Sequence, residues 1–122
     1  MARIVLAGLV VAMLAGAEMG AASAHRAHAA GSCHLSSREQ RHMGASYVTS
    51  LSVTNTGCTT GKKVVRDFNG CRHHHGGAAG HCGGVDGYRC SERRSGIKVQ
   101  YDSDTNCWRG RRHVRFTYVQ NT

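Results

Sequence analysis

The sequence predicts a small α+β domain, stapled by disulfides, in which one short helix packs on an antiparallel sheet of three to four strands. Three observations carry that expectation. Six cysteines, an even number, run from Cys33 to Cys107 in a chain of 122 residues, and in a short exported protein such a set reads as a disulfide framework. One segment of helical period is followed by segments that alternate with a period of two, the order expected when a helix lies on an antiparallel sheet. The apolar interior is thin: Leu51, Val53, Val64, Val65, Phe68, Ile97, Val99, Val114 and Phe116, with a few tyrosines, are the candidate core. A domain of this size buries little apolar surface, so covalent crosslinks have to supply part of its stability.

The elements follow in order. Residues 1–24 have the design of an export signal. Arg3 precedes an apolar run from Ile4 to Ala17, and Ala22-Ser23-Ala24 places small residues where a signal peptidase reads them. The run is shorter than the roughly 20 residues of a membrane span, so no integral membrane segment is expected. A second small-x-small site, Ala27-His28-Ala29, leaves cleavage open between Ala24 and Ala29. Residues 25–46 show no period and read as an irregular arm tethered through Cys33. A strand is expected over Tyr47–Thr54, with Tyr47, Thr49, Leu51 and Val53 on one face. Asn55 or Thr56 can then cap a helix of about three turns, in which Cys58, Gly61, Val64, Val65 and Phe68 recur at helical spacing and Asn69-Gly70 is the stop. Residues 70–87, rich in glycine and histidine, read as a loop. Three strands are expected after it, over 87–91, 97–101 and 111–120. The last has Val114, Phe116 and Tyr118 inward and His113, Arg115 and Thr117 outward. Arg109-Gly110 is the turn that feeds it.

Gly57-Cys58-Thr59-Thr60, Val64-Val65, Gly87-Tyr88-Arg89-Cys90, Cys107-x-x-Gly110 and Val114-Arg115-Phe116 together form a frame over residues 47–119. That frame resembles small cysteine-containing secreted proteins of actinobacteria. The resemblance implies export and an α+β fold, and it carries no catalytic residue. The histidine run departs from the plainer loop of that frame.

The formal net charge is +9, and arginine outnumbers lysine. A guanidinium fork binds phosphate or carboxylate bidentately, so the balance points to an anionic partner, either an anionic polymer or an acidic protein. Arg93, Arg94, Arg109, Arg111, Arg112 and Arg115 crowd the C-terminal strands and turns and are the candidate contact. A positive surface that only keeps a secreted protein soluble is the plainer alternative.

A second reading rests on His73, His74, His75 and His81, bracketed by Cys71 and Cys82. Neutral imidazole is a common transition-metal ligand, and copper or zinc would suit such donors, although the fold requires no cofactor. His25 and His28 could contribute. A solvated, pH-responsive loop has the same composition. The third reading is a small secreted ribonuclease, with His113 between Arg111 and Arg115 and, as its partner, a second imidazole or a carboxylate from Glu92, Asp102 or Asp104. An aromatic platform for nucleic acid would have to come from Tyr101, Trp108 or Tyr118, each equally suited to the core. Zinc-protease, serine-hydrolase and phosphate-loop signatures are missing from the sequence. A non-enzymatic, extracellular, monomeric basic protein is therefore the leading expectation. For the cysteines it favours Cys71–Cys82 as the shortest independent loop, with Cys58–Cys107 and Cys33–Cys90 completing the set.

Overall fold

The computed structural model describes residues 30–122. The expected export signal, both cleavage sites, His25 and His28 lie outside the described residues. Within them the chain runs β1 (Gly31–Ser32), α1 (Ser37–Arg41), β2 (Tyr47–Thr54), α2 (Cys58–His74), a 3-10 turn (Gly77–Ala79), β3 (Gly84–Val85), β4 (Tyr88–Ile97), β5 (Gln100–Arg109) and β6 (Arg112–Asn121). All strands join one antiparallel sheet in the order β1-β2-β6-β5-β4-β3. The architecture is the expected α+β domain, but the sheet has six strands rather than three to four. The additional edge strands β1 and β3 are two residues long, too short to leave an alternating pattern in the sequence.

The N-terminal arm is more regular than its composition suggests. Ser36 and Glu39 form a reciprocal capping box around α1: the Glu39 amide donates to Ser36 Oγ at 3.2 Å, and the Ser36 amide donates to Glu39 Oε2 at 2.9 Å. Lys62 on α2 reaches Glu39 at 2.6 Å, which ties this turn to the main helix. Met43 and Ala45 then enter the core.

In β2 a bulge between Val48 and Ser50 shifts the register, so Val48, Leu51 and Val53 share the buried face. Thr49 is exposed and Tyr47 half-buried, a correction to simple alternation. Asn55 takes a positive φ of 54° and does not cap α2; its amide donates to Arg111 O at 2.9 Å. The N-cap is Gly57, without a side-chain bond.

Helix α2 does not stop at Asn69-Gly70 but continues to His74, so the expected loop over 70–87 begins late. Its buried stripe explains this. Gly61, Val64, Val65 and Phe68 continue at helical spacing as Asn69 and Arg72, both fully buried. Asn69 Nδ2 donates to Met43 O at 2.9 Å and Asn69 Oδ1 accepts from Arg72, so the stop signal is consumed by tertiary bonds. Phe68 meets Phe116 edge-on at 5.4 Å, joining helix to sheet.

Strands β4 and β5 form a long hairpin whose turn is Lys98-Val99, inside the segment expected to be a strand. Ile97 and Val99 therefore stand at the tip, 69% and 63% exposed, and are not core.

The disulfides are Cys33–Cys58, Cys71–Cys82 and Cys90–Cys107. Cys71–Cys82 is the expected short loop. The pairings Cys58–Cys107 and Cys33–Cys90 are corrected: hairpin register places Cys90 directly opposite Cys107, and β1 brings Cys33 beside the start of α2. Among the described residues no helix is long and apolar enough to cross a membrane.

A candidate anion-binding sheet face

The sheet has two unlike faces. The inner face, under α2, carries Leu51, Val53, Val114, Phe116, Tyr118, Tyr101, Thr105 and Cys107, all buried. The opposite face presents, strand by strand, residues that are exposed or half-buried throughout. Register sets them in rows. Arg89, Trp108, His113 and Thr54 lie across four strands in one row; Ser91, Asn106, Arg115 and Ser52 form the next; Arg93, Asp104, Thr117 and Ser50 the third. Directly opposed side chains in such rows have their Cβ atoms about 5 Å apart, close enough to serve one ligand.

The β5–β6 turn closes the first-row end of this face. Arg109 pairs with Arg112 across it, and Gly110 supplies the left-handed residue with φ 58°. Arg111 completes the turn, held at its carbonyl by Asn55. All three arginines are exposed, and among the described residues neither they nor Arg89 has a carboxylate within ion-pair distance. At the other end the charges are mixed. Asp104 lies 3.6 Å from Arg93 and 3.8 Å from Arg115, beside an open cavity of about 580 Å³ lined by Thr49, Arg93, Ser95, Asp102, Asp104 and Thr117.

Of the six arginines singled out from sequence, Arg93 and Arg115 lie on this face and Arg111 at its tip. Arg109 and Arg112 flank the turn with the inner-face parity of Cys107 and Val114, and Arg109 Nη1 donates to Asp86 O at 3.4 Å. Arg94 lies elsewhere. One residue from Arg93, it points to the inner face, where it donates to Glu92 at 2.9 Å, to Ala79 O at 2.9 Å and to Gly80 O, and lies 4.5 Å from the Tyr101 ring. Glu92 is 5% exposed in its side chain and also accepts from Ser103 at 3.0 Å and from the Tyr118 hydroxyl. Burial pushes the Glu92 carboxyl up, but the bonds from Arg94, Tyr118 and Ser103 outweigh it and hold the group below the ordinary glutamate value. Burial and the anionic neighbour Glu92 both push the Tyr118 phenol up. This cluster, with Arg72, fastens the glycine-rich ring to the core.

The histidines disperse. His73 Nε2 donates to Gly44 O at 2.6 Å and His75 Nδ1 to Cys71 O at 2.8 Å, while His74 is exposed. His81 Nδ1 lies 3.4 Å from Glu92. Among the described residues no three histidine, cysteine or acidic side chains are grouped to hold a metal ion. His113 sits on the open face opposite Trp108, whereas Glu92 is on the inner face and Asp104 is two rows away, so the acid–base pair considered from sequence is not assembled.

Sequence reasoning missed Arg89 and the place of Trp108. Both follow from one signal: a two-residue Gly110-Arg111 turn forces Trp108 opposite His113, and the β4–β5 hairpin then brings Arg89 beside Trp108. The chain matches no protein-family model, no curated protein and no solved structure.

Proposed function

We propose that the protein is a non-enzymatic, secreted basic protein that binds an anionic polymer through the open sheet face and the β5–β6 turn. One observation carries the reading: Arg109, Arg111 and Arg112 share one turn, Arg89 borders it, and none of the four is neutralised by an acidic side chain among the described residues. Like charges held this close raise the local potential and favour a ligand that brings several anionic groups at once. Three disulfides with no free cysteine among the described residues support an oxidising, extracytoplasmic setting.

The test is binding of the disulfide-bonded protein to immobilised inorganic polyphosphate. Binding through several arginines releases condensed counterions, so affinity should fall by orders of magnitude between about 50 and 200 mM salt. Absence of binding at the lower salt, or affinity indifferent to salt, overturns the proposal.

A further inference from the structure

Resting on the anion-binding reading, we infer that the polymer this face fits is a single-stranded nucleic acid, with its bases stacking on Trp108 and its phosphates paired with the surrounding arginines. Of the aromatic residues that could provide a platform, Tyr101 and Tyr118 are buried in the inner layer. Trp108 is half-buried on the open face and is the one tryptophan of the chain. Its cross-strand neighbours are Arg89 and His113, and the row ends at the β5–β6 turn that carries Arg111, with Arg109 and Arg112 flanking the turn in the opposite parity.

An indole beside the exposed Arg89 on an open antiparallel sheet, with the arginine-bearing turn at the end of its row, matches the two needs of single-strand binding, a π-face for a base and cations for the backbone. A polyphosphate or an anionic wall polymer has no flat ring and would leave the indole unused. A duplex keeps its bases stacked on one another and offers the indole none. An acidic protein would satisfy the arginines but has no run of unstacked rings to lay along the row. The hydroxyl and amide residues of the next row, Ser91, Asn106 and Ser52, suit contacts to sugar and phosphate without selecting a base.

Because Trp108 is unique, the site reports on itself. Oligo(dT), a duplex of the same length and inorganic polyphosphate would each be titrated into the disulfide-bonded protein, reading tryptophan fluorescence, with affinities from competition against labelled oligo(dT). Oligo(dT) should quench the fluorescence, and polyphosphate should bind without quenching. Trp108→Ala should weaken oligo(dT) by about fivefold to a hundredfold, the loss of one stacked base, and leave polyphosphate affinity unchanged. Trp108→Tyr, which keeps a ring and disturbs packing less, should retain most of the oligo(dT) affinity. Oligo(dT) binding without quenching, or a duplex binding as tightly, overturns the nucleic-acid inference while the anion-binding reading stands. Failure of all three to bind overturns both.

Discussion

Replacing Arg72 by methionine removes a guanidinium that is fully buried and, among the described residues, faces no carboxylate. All five of its N–H groups have acceptors. Nε and Nη2 reach Asn69 Oδ1 at 3.1 and 3.0 Å, Nη2 also reaches Gln120 Oε1 at 2.8 Å, and Nη1 reaches Ala78 O at 2.7 Å and the Tyr101 hydroxyl at 2.8 Å. The guanidinium also lies 4.8 Å from the Tyr118 ring. Two effects oppose each other. Methionine fills most of the stem's volume and relieves the burial of a charge, an exchange that in other cores is neutral or stabilising. Against that, Asn69 Oδ1 and Gln120 Oε1 lose their donor inside the core, at about 1–3 kcal/mol each. Ala78 O is not orphaned, because the Tyr101 hydroxyl still donates to it at 2.6 Å. With every N–H satisfied and a π-face beside it, the native charge is already well compensated, so the orphaned acceptors decide the sign. The expected loss is about 3 kcal/mol. With a urea m-value of about 1.5 kcal/mol/M, the midpoint should fall by about 2 M. Equilibrium unfolding with the disulfides intact, followed by far-UV circular dichroism, measures it. A midpoint within about 0.3 M of the parent would show that relief of charge burial cancels the orphaned acceptors, refuting the reasoning.

Three further outcomes are expected. Gly61→Ala places a Cβ 2.6 Å from Val53 Cγ1, so overpacking should outweigh the helix-propensity gain and lower Tm by several degrees; an unchanged or higher Tm contradicts the close approach. The bonds from Lys62 and Ser36 hold Glu39 at about 2, and Glu92 is also held below its ordinary 4.5, so their stabilisation is complete at neutral pH and is lost as pH falls below about 4.5. Urea midpoints should be level above that pH and drop beneath it, with a shallower drop in Glu92→Gln; a rise in acid contradicts the sign. Converting Cys33 and Cys58 together to serine opens a loop with a sequence separation of 25, worth about 3.5 kcal/mol in the chain-entropy model. Limited proteolysis should then cut first in residues 34–46, and unchanged resistance would contradict the role of this bridge in holding the arm.

The parts of the fold legible in the sequence were those whose cause is local. The alternation of Val114, Phe116 and Tyr118 predicts β6 and its inner face, and Val64, Val65 and Phe68 predict the buried side of α2. What escaped depends on register. Reading a strand through residues 97–101 hides the Lys98-Val99 turn, and with it the fact that a hairpin centred there must set Cys90 against Cys107. The same error assigned Ile97 and Val99 to a core they do not enter. Helix α2 outran its stop signal because Asn69 and Arg72 find partners on β5, β6 and the arm, which no local propensity records. At the site, composition pointed to arginine, but separating Arg93 from Arg94 needs the faces of β4, and joining Arg89 to Trp108 and His113 needs both hairpins.

The central claim is that the arginines at the β5–β6 turn, acting together, hold an anionic polymer. Its most direct test is the salt dependence of oligo(dT) or polyphosphate affinity in the parent and in the triple variant Arg109→Gln, Arg111→Gln, Arg112→Gln. A plot of log affinity against log salt should lose about 2 to 3 units of slope in the variant, roughly one for each phosphate contact removed. Parallel plots, with the variant binding as tightly as the parent, would contradict the account.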